Sequence, residues 1–236
     1  MGTDRQSVIF DVDGVLVDSS RAHFLSWLAM ADACGCRRMS AGEFDATFGR
    51  TSREIIRELW RDLPLGDDEV SALDDRKEAF FREILRADFP AMPGARELID
   101  QLKESGFRLA VGSSGPPENI GLVLDSLGCR DRFDAIVTGV DVRRGKPDPE
   151  VFLLCAERLG VRPTDCAVIE DAVVGIEAAR RAGMVGVALV VERRDAGPFC
   201  HAHRVVRDLS ELSPAGIGRW IAAHRLGAGS PGGGSL

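Results

Sequence analysis

Two carboxylates two residues apart open the stretch Asp11-Val12-Asp13-Gly14-Val15-Leu16-Val17-Asp18-Ser19, directly after the apolar triplet Val8-Ile9-Phe10. Residues i and i+2 leave a strand on the same side, so both acids can address one ligand. Gly14 then lets the chain turn. One carboxylate can attack an electrophile while the other handles the proton of the leaving group. Such a pair repels an anionic substrate unless a cation sits with it, so the motif implies a metal. The reaction that combines these parts is phosphoryl transfer.

That reaction needs a nucleophile, an acid/base, cationic shielding and a holder for the equatorial oxygens. Asp11 is the candidate nucleophile, forming an aspartyl-phosphate, and Asp13 the candidate acid/base. Ser113, in Gly112-Ser113-Ser114-Gly115, offers a hydroxyl and nearby backbone N–H groups to phosphate oxygens, with Ser114 the second choice for the same role. Lys146, in Gly145-Lys146-Pro147-Asp148-Pro149, can place a charge between nucleophile and phosphoryl group. At about 4 Å and an effective dielectric near 20 such a charge interacts by roughly 4 kcal/mol. Glu170-Asp171 adds two hard oxygen ligands that, with Asp11 and a substrate oxygen, describe a Mg²⁺ site.

Each feature alone also has a plain structural reading. An Asp after a strand is commonly a helix N-cap, which is the reading for Asp18; Ser-Ser-Gly is an ordinary turn, and a lone lysine is usually solvated. The same four features in this order, each just beyond a strand, are not explained that way.

The elements that must position these residues alternate. Short apolar runs at Val8 to Phe10, Arg108 to Val111, Ala135 to Thr138, Ala167 to Ile169 and Val185 to Val191 are separated by helical patterns. Those patterns include Gly94 to Ser105, Glu118 to Leu127, Glu150 to Leu159 and Gly175 to Ala182. This predicts βαβ units, a parallel Rossmann-like sheet in an α/β fold, and a site outside the carboxyl ends of the strands. Between Asp18 and Pro90 only helical periodicities occur, as in Phe24, Trp27, Leu28 and Ala31, or Phe80, Phe81, Ile84 and Leu85. The expected organisation is a catalytic core of residues 1–17 and 91–226, a helical cap over 18–90, and a disordered glycine-rich tail over 227–236.

With 236 residues, 44% of them hydrophobic and 28% charged, the composition is that of a soluble globular protein. A net charge of −7 with no basic stripe predicts no nucleic-acid partner. No apolar run approaches the roughly 20 residues of a membrane span. The six cysteines include no CxxC pair, so a reduced cytoplasmic protein is expected. Cys200-His201-Ala202-His203 carries metal-ligand residue types but has no matching partner cluster.

On these motifs the chain resembles the haloacid dehalogenase superfamily, in particular its β-phosphoglucomutase-like branch with a small helical cap. The carriers are Asp11 to Ser19, Ser113, Lys146 with Pro147-Asp148-Pro149, and Val168 to Ala179, and the likeness spans roughly residues 7 to 190. It implies Mg²⁺ held by Asp11, the backbone carbonyl of Asp13, Asp171 and Glu170. Dehalogenases and phosphonate-cleaving members lack an acid at the position of Asp13, so the resemblance points to a phosphate ester. In the mutase-like branch a histidine at His23 and a lysine at Lys77 form a hinge network around the general acid. Family mutases also grip a second phosphate with an arginine in the loop here written Gly49-Arg50-Thr51-Ser52-Arg53-Glu54. Matched on Gly49, that arginine falls at Ser52, with Arg53 one residue late and Arg50 two early; Thr51 to Glu54 also fits a helix-opening capping box. The expectation is a Mg²⁺-dependent phosphatase of a small phosphorylated metabolite, a sugar phosphate in the first instance, working as a monomer. The alternatives are a β-phosphoglucomutase and a non-catalytic binding module.

Overall fold

The computed structural model describes residues 5–47, 51–191 and 197–228. By its internal contacts the chain divides into two compact units, Met1–Val17 with Ala91–Leu236, and Asp18–Pro90.

The chain begins with β1 (Ser7–Phe10) and then builds the helical unit from α1 (Ser20–Cys34), α2 (Ala41–Asp45), α3 (Ser52–Leu59) and α4 (Asp67–Ala87). Its local signals are strong. α1 stops at Gly35, which takes a left-handed φ of 65° and donates back to the last turn. Thr51 and Glu54 form the expected capping box at the start of α3. Three acids, Asp67, Asp68 and Glu69, fill the first turn of α4, where the helix dipole favours them. The apolar positions then meet: Trp27, Met30, Ile55, Ile56, Trp60 and Val70 are buried together. Asp18 is not the cap of α1. Ser19 occupies that place, without a side-chain cap bond, and the Asp18 N–H donates to Pro90 O at 2.9 Å instead.

The other unit continues with α5 (Ala95–Glu104), β2 (Arg108–Gly112), α6 (Pro117–Ser126), β3 (Ala135–Val137), α7 (Glu150–Leu159), β4 (Cys166–Glu170), α8 (Val173–Arg181), β5 (Val185–Leu189), β6 (Arg204–Val206) and α9 (Pro214–Ala228). The six strands form one sheet in the order β3-β2-β1-β4-β5-β6. Every pairing is parallel. Helices cover both faces of such a sheet, which is why β1, β4 and β5 are buried throughout and read as continuous apolar runs rather than alternating ones. Register aligns Phe10 with Val111 on one side and Ile169 on the other. The residues after these three strands therefore emerge along one rim, where the strand order reverses about β1.

β6 and α9 were not among the expected elements. β6 has three residues, two of them exposed, too few to set a period. α9 carries Gly216, Gly218 and Gly227, each unfavourable in a helix by about 1 kcal/mol relative to alanine. Tertiary contacts hold it: Ile217 and Ile221 are fully buried, Gln6 Nε2 donates to Gly218 O at 2.9 Å, and Arg225 pairs with the buried Asp165 at 2.9 Å. The helix also includes Gly227 and Ala228, which the composition assigned to a disordered tail. Residues 229–236 of that tail lie outside the described residues.

Candidate active site

Asp11 leaves the central strand with its N–H donating to Ile169 O at 3.0 Å. Its carboxylate is buried at the rim, and Oδ1 accepts from Lys146 Nζ at 2.6 Å. The same ammonium donates to Glu170 Oε1 at 2.8 Å and Gly112 O at 3.3 Å. Lys146 thus joins the carboxyl ends of three adjacent strands, β2, β1 and β4. It reaches them from a loop tied to the start of α7: Arg143 and Arg144 N–H both donate to Glu150 Oε2, and Glu150 N–H donates to Asp148 Oδ1. The Phe152 ring lies 4.9 Å from Nζ and adds an apolar, π-rich wall.

Glu170, the last residue of β4, is 1% exposed; its Oε1 faces Lys146 and its Oε2 accepts from Ala172 N–H at 2.6 Å. Asp11, Glu170 and Asp171 each offer a carboxylate oxygen within 4.8 Å of the others, the one group among the described residues able to hold a metal ion. Burial drives the Asp11 carboxyl well above its usual value; Lys146 pulls it down, and Glu170, Asp13 and Asp171 push it further up. For Lys146, burial lowers the value, but the charges and hydrogen bonds of Asp11 and Glu170 outweigh it and hold the ammonium above the ordinary lysine range. Three hard oxygen donors and an excess of negative charge over one lysine fit a divalent cation such as Mg²⁺.

Two glycines make this crowding possible. Gly14 takes φ 75°, and a Cβ there would run into the Asp171 carboxylate. A Cβ on Gly175, in the first turn of α8, would run into the Glu170 carboxylate. The motif showed both glycines, but only the geometry shows that each makes room for an acid.

Asp13 is half-buried two residues beyond Asp11. Ser113 follows β2, is 2% exposed, and its Oγ accepts from Gly115 N–H at 3.1 Å, so the hydroxyl is set by its own turn. Ser114 is exposed. Asp11, Lys146, Glu170 and Asp171 are therefore brought together, with Ser113 on the neighbouring strand end.

In the helical unit, Lys77 Nζ lies 2.9 Å from His23 Nδ1. Arg53 is committed elsewhere: its Nε donates to Asp74 Oδ2 and its Nη2 to Ser71 Oγ, both at 3.2 Å. Arg50 lies outside the described residues. Sequence reasoning missed Glu78, which accepts from both Lys77 and Ser52; an acid beside a lysine on a helix reads as solvated surface. Cys200 to His203 gather no site: His203 Nδ1 accepts from Gly186 N–H, while His201 faces Glu177.

A family model described as haloacid dehalogenase-like hydrolase matches residues 6–183. The chain is 32% identical over 223 residues to the β-phosphoglucomutase of Bacillus subtilis (strain 168), covering 88% of this chain and 92% of that protein. It is 36% identical over 186 residues to the fructose-1-phosphate phosphatase YqaB of Escherichia coli (strain K12), covering 76% and 94%. Its structure matches that of CbbY from Rhodobacter sphaeroides in complex with phosphate with a TM-score of 0.83 at 25% identity, over 90% of this chain and 99% of the other.

Proposed function

The chain belongs to the haloacid dehalogenase-like hydrolase family, and from that premise we propose that it is a Mg²⁺-dependent phosphatase of a small phosphorylated sugar, working through an aspartyl-phosphate on Asp11. The observation that carries this reading is the single ammonium of Lys146 shared between Asp11 and Glu170 at the sheet rim.

Asp11 attacks phosphorus, forming an O–P bond as the bond to the sugar oxygen breaks. Asp13 gives its proton to that leaving oxygen. It then takes a proton from water, whose oxygen attacks phosphorus, releasing inorganic phosphate and restoring the Asp11 carboxylate. Lys146 keeps a positive charge against both Asp11 and the incoming anion, and Ser113 with its turn N–H groups holds equatorial oxygens. Asp11, Asp171, Glu170 and the Asp13 carbonyl would hold Mg²⁺, which supplies further charge neutralisation on the phosphoryl oxygens. Being buried, the cluster strengthens each of these charge interactions relative to water.

The Lys77–His23 hydrogen bond favours a second reading, the β-phosphoglucomutase, since that pair is the one the resemblance assigns to the mutase-like hinge. The phosphatase is preferred because Ser52 stands at the mutase arginine position and bonds to an acid, Glu78, while Arg53 is tied to Asp74. Ser52 offers a second phosphate no cation, and the Arg53 guanidinium is already engaged by an acid. ³¹P NMR of the protein with Mg²⁺, β-glucose 1-phosphate and trace β-glucose 1,6-bisphosphate separates the two. Free phosphate as the main product supports hydrolysis; glucose 6-phosphate without matching free phosphate establishes the mutase.

A further inference from the structure

Lys77 and Glu78 are adjacent on α4; the Lys77 side chain is buried, 3% exposed, and that of Glu78 is partly buried at 13%. A buried ammonium is costly unless an opposite charge and hydrogen bonds accompany it. Glu78 supplies both: its Oε1 accepts from Lys77 Nζ at 2.7 Å. The rings of Trp27 and Phe81 complete the surroundings, each with its centre 5.5 Å from Nζ. The same Glu78 oxygen accepts from Ser52 Oγ at 3.2 Å, so one carboxylate ties α4 to the first turn of α3.

The consequence reaches His23. An ammonium has three donors and no acceptor. With Lys77 Nζ 2.9 Å away, His23 Nδ1 must accept, which puts the ring proton on Nε2. Phe81 stacks on the imidazole at 4.1 Å between centres and 16° between planes, fixing the ring's orientation. Tautomer and plane are thus both set, the first by a charge that Glu78 keeps in place.

We infer that Glu78 is a positioning residue: it anchors the Lys77 ammonium, which in turn holds His23 as an Nε2–H donor. This rests on the proposed phosphate-ester reading, taken with the hinge role that the resemblance assigns to His23 and Lys77. Without the Glu78 carboxylate, the ammonium is no longer held beside Nδ1, and the histidine loses the donor that fixes its single tautomer.

The test is imidazole ¹⁵N NMR on the full chain with labelled histidine, the His23 signals being identified by their loss in His23→Asn. The wild type should show His23 as the Nε2–H form alone. Glu78→Gln should populate the Nδ1–H form and lower the kcat for phosphate release about 10- to 100-fold, a typical cost of small misplacement, with KM little changed. Glu78→Asp should recover part of both. An Nδ1–H histidine in the wild type, or an unchanged tautomer in Glu78→Gln, overturns the inference. Should Glu78→Gln fail to fold, Lys77→Met decides in its place, since removing the donor must also release the tautomer. None of these spectra needs a substrate, so failure of the phosphatase reading would appear separately, as absence of turnover in the wild type.

Discussion

Gly175 packs against Glu170 with no room for a methyl group between them. Helix propensity alone would favour alanine at this position in α8 by about 1 kcal/mol. The glycine therefore serves the acid and not the helix. Gly175→Ala should lower thermal stability, because Glu170 must give up its buried bonds to Lys146 and Ala172 N–H, and weaken Mg²⁺ binding about 10- to 100-fold, the usual cost of disturbing a ligand's support. Calorimetric titration of Mg²⁺ into both proteins checks this. Equal affinities would show that Glu170 can move aside freely.

Four carboxylates and one lysine at a buried rim make the metal-free protein carry unfavourable charge. Asp11→Asn removes one negative charge from this cluster while Lys146 keeps its bond to Glu170. The variant should melt higher than the wild type in chelator, by about 1 kcal/mol or roughly 2–4 °C. Mg²⁺ should then stabilise the wild type more than the variant, by mass action on the folded state. A lower melting temperature for Asp11→Asn in chelator would mean that the Lys146 bond outweighs the acid repulsion.

His203 gives the fold a pH dependence whose sign follows from its hydrogen bond. Nδ1 accepts from Gly186 N–H at 3.0 Å, so the folded ring needs that lone pair. Burial holds its pKa below the ordinary 6.5, with His224 and Arg204 adding to the effect. As pH falls below about 6.5 the unfolded chain takes a proton that the folded one refuses. The contribution is present above that value and is lost as pH drops toward the folded pKa. Urea unfolding at pH 7.5 and 5.5 should show a stability loss that shrinks in His203→Gln. The same loss in both proteins would assign it to other groups.

Much of the fold class was legible because parallel strands buried on both faces are short apolar runs, and each was followed by a turn carrying the chemistry. The acid pair at Asp11 and Asp13 and the lysine at Lys146 stood out for the same reason. What stayed hidden depends on distance in sequence. α9 is glycine-interrupted and held by Ile217, Ile221 and an ion pair to Asp165, none of which is a local signal. Arg53 looked available until Asp74, 21 residues on, was found to hold it. Glu78 looked like surface, but it is partly buried and holds Ser52 of α3 and Lys77 of α4. The cap of α1 at Ser19 rather than Asp18 is a shift of one residue, within the range where terminal turns are least determined.

The most direct measurement is inorganic phosphate release from a panel of hexose, pentose and hexitol phosphates with Mg²⁺, by the wild type and Asp11→Asn. The account predicts turnover of at least one sugar phosphate by the wild type and its loss by more than about 10³-fold in the variant, as for removal of a nucleophile. Phosphate release that survives Asp11→Asn, or a wild type that cleaves none of the panel, would contradict it.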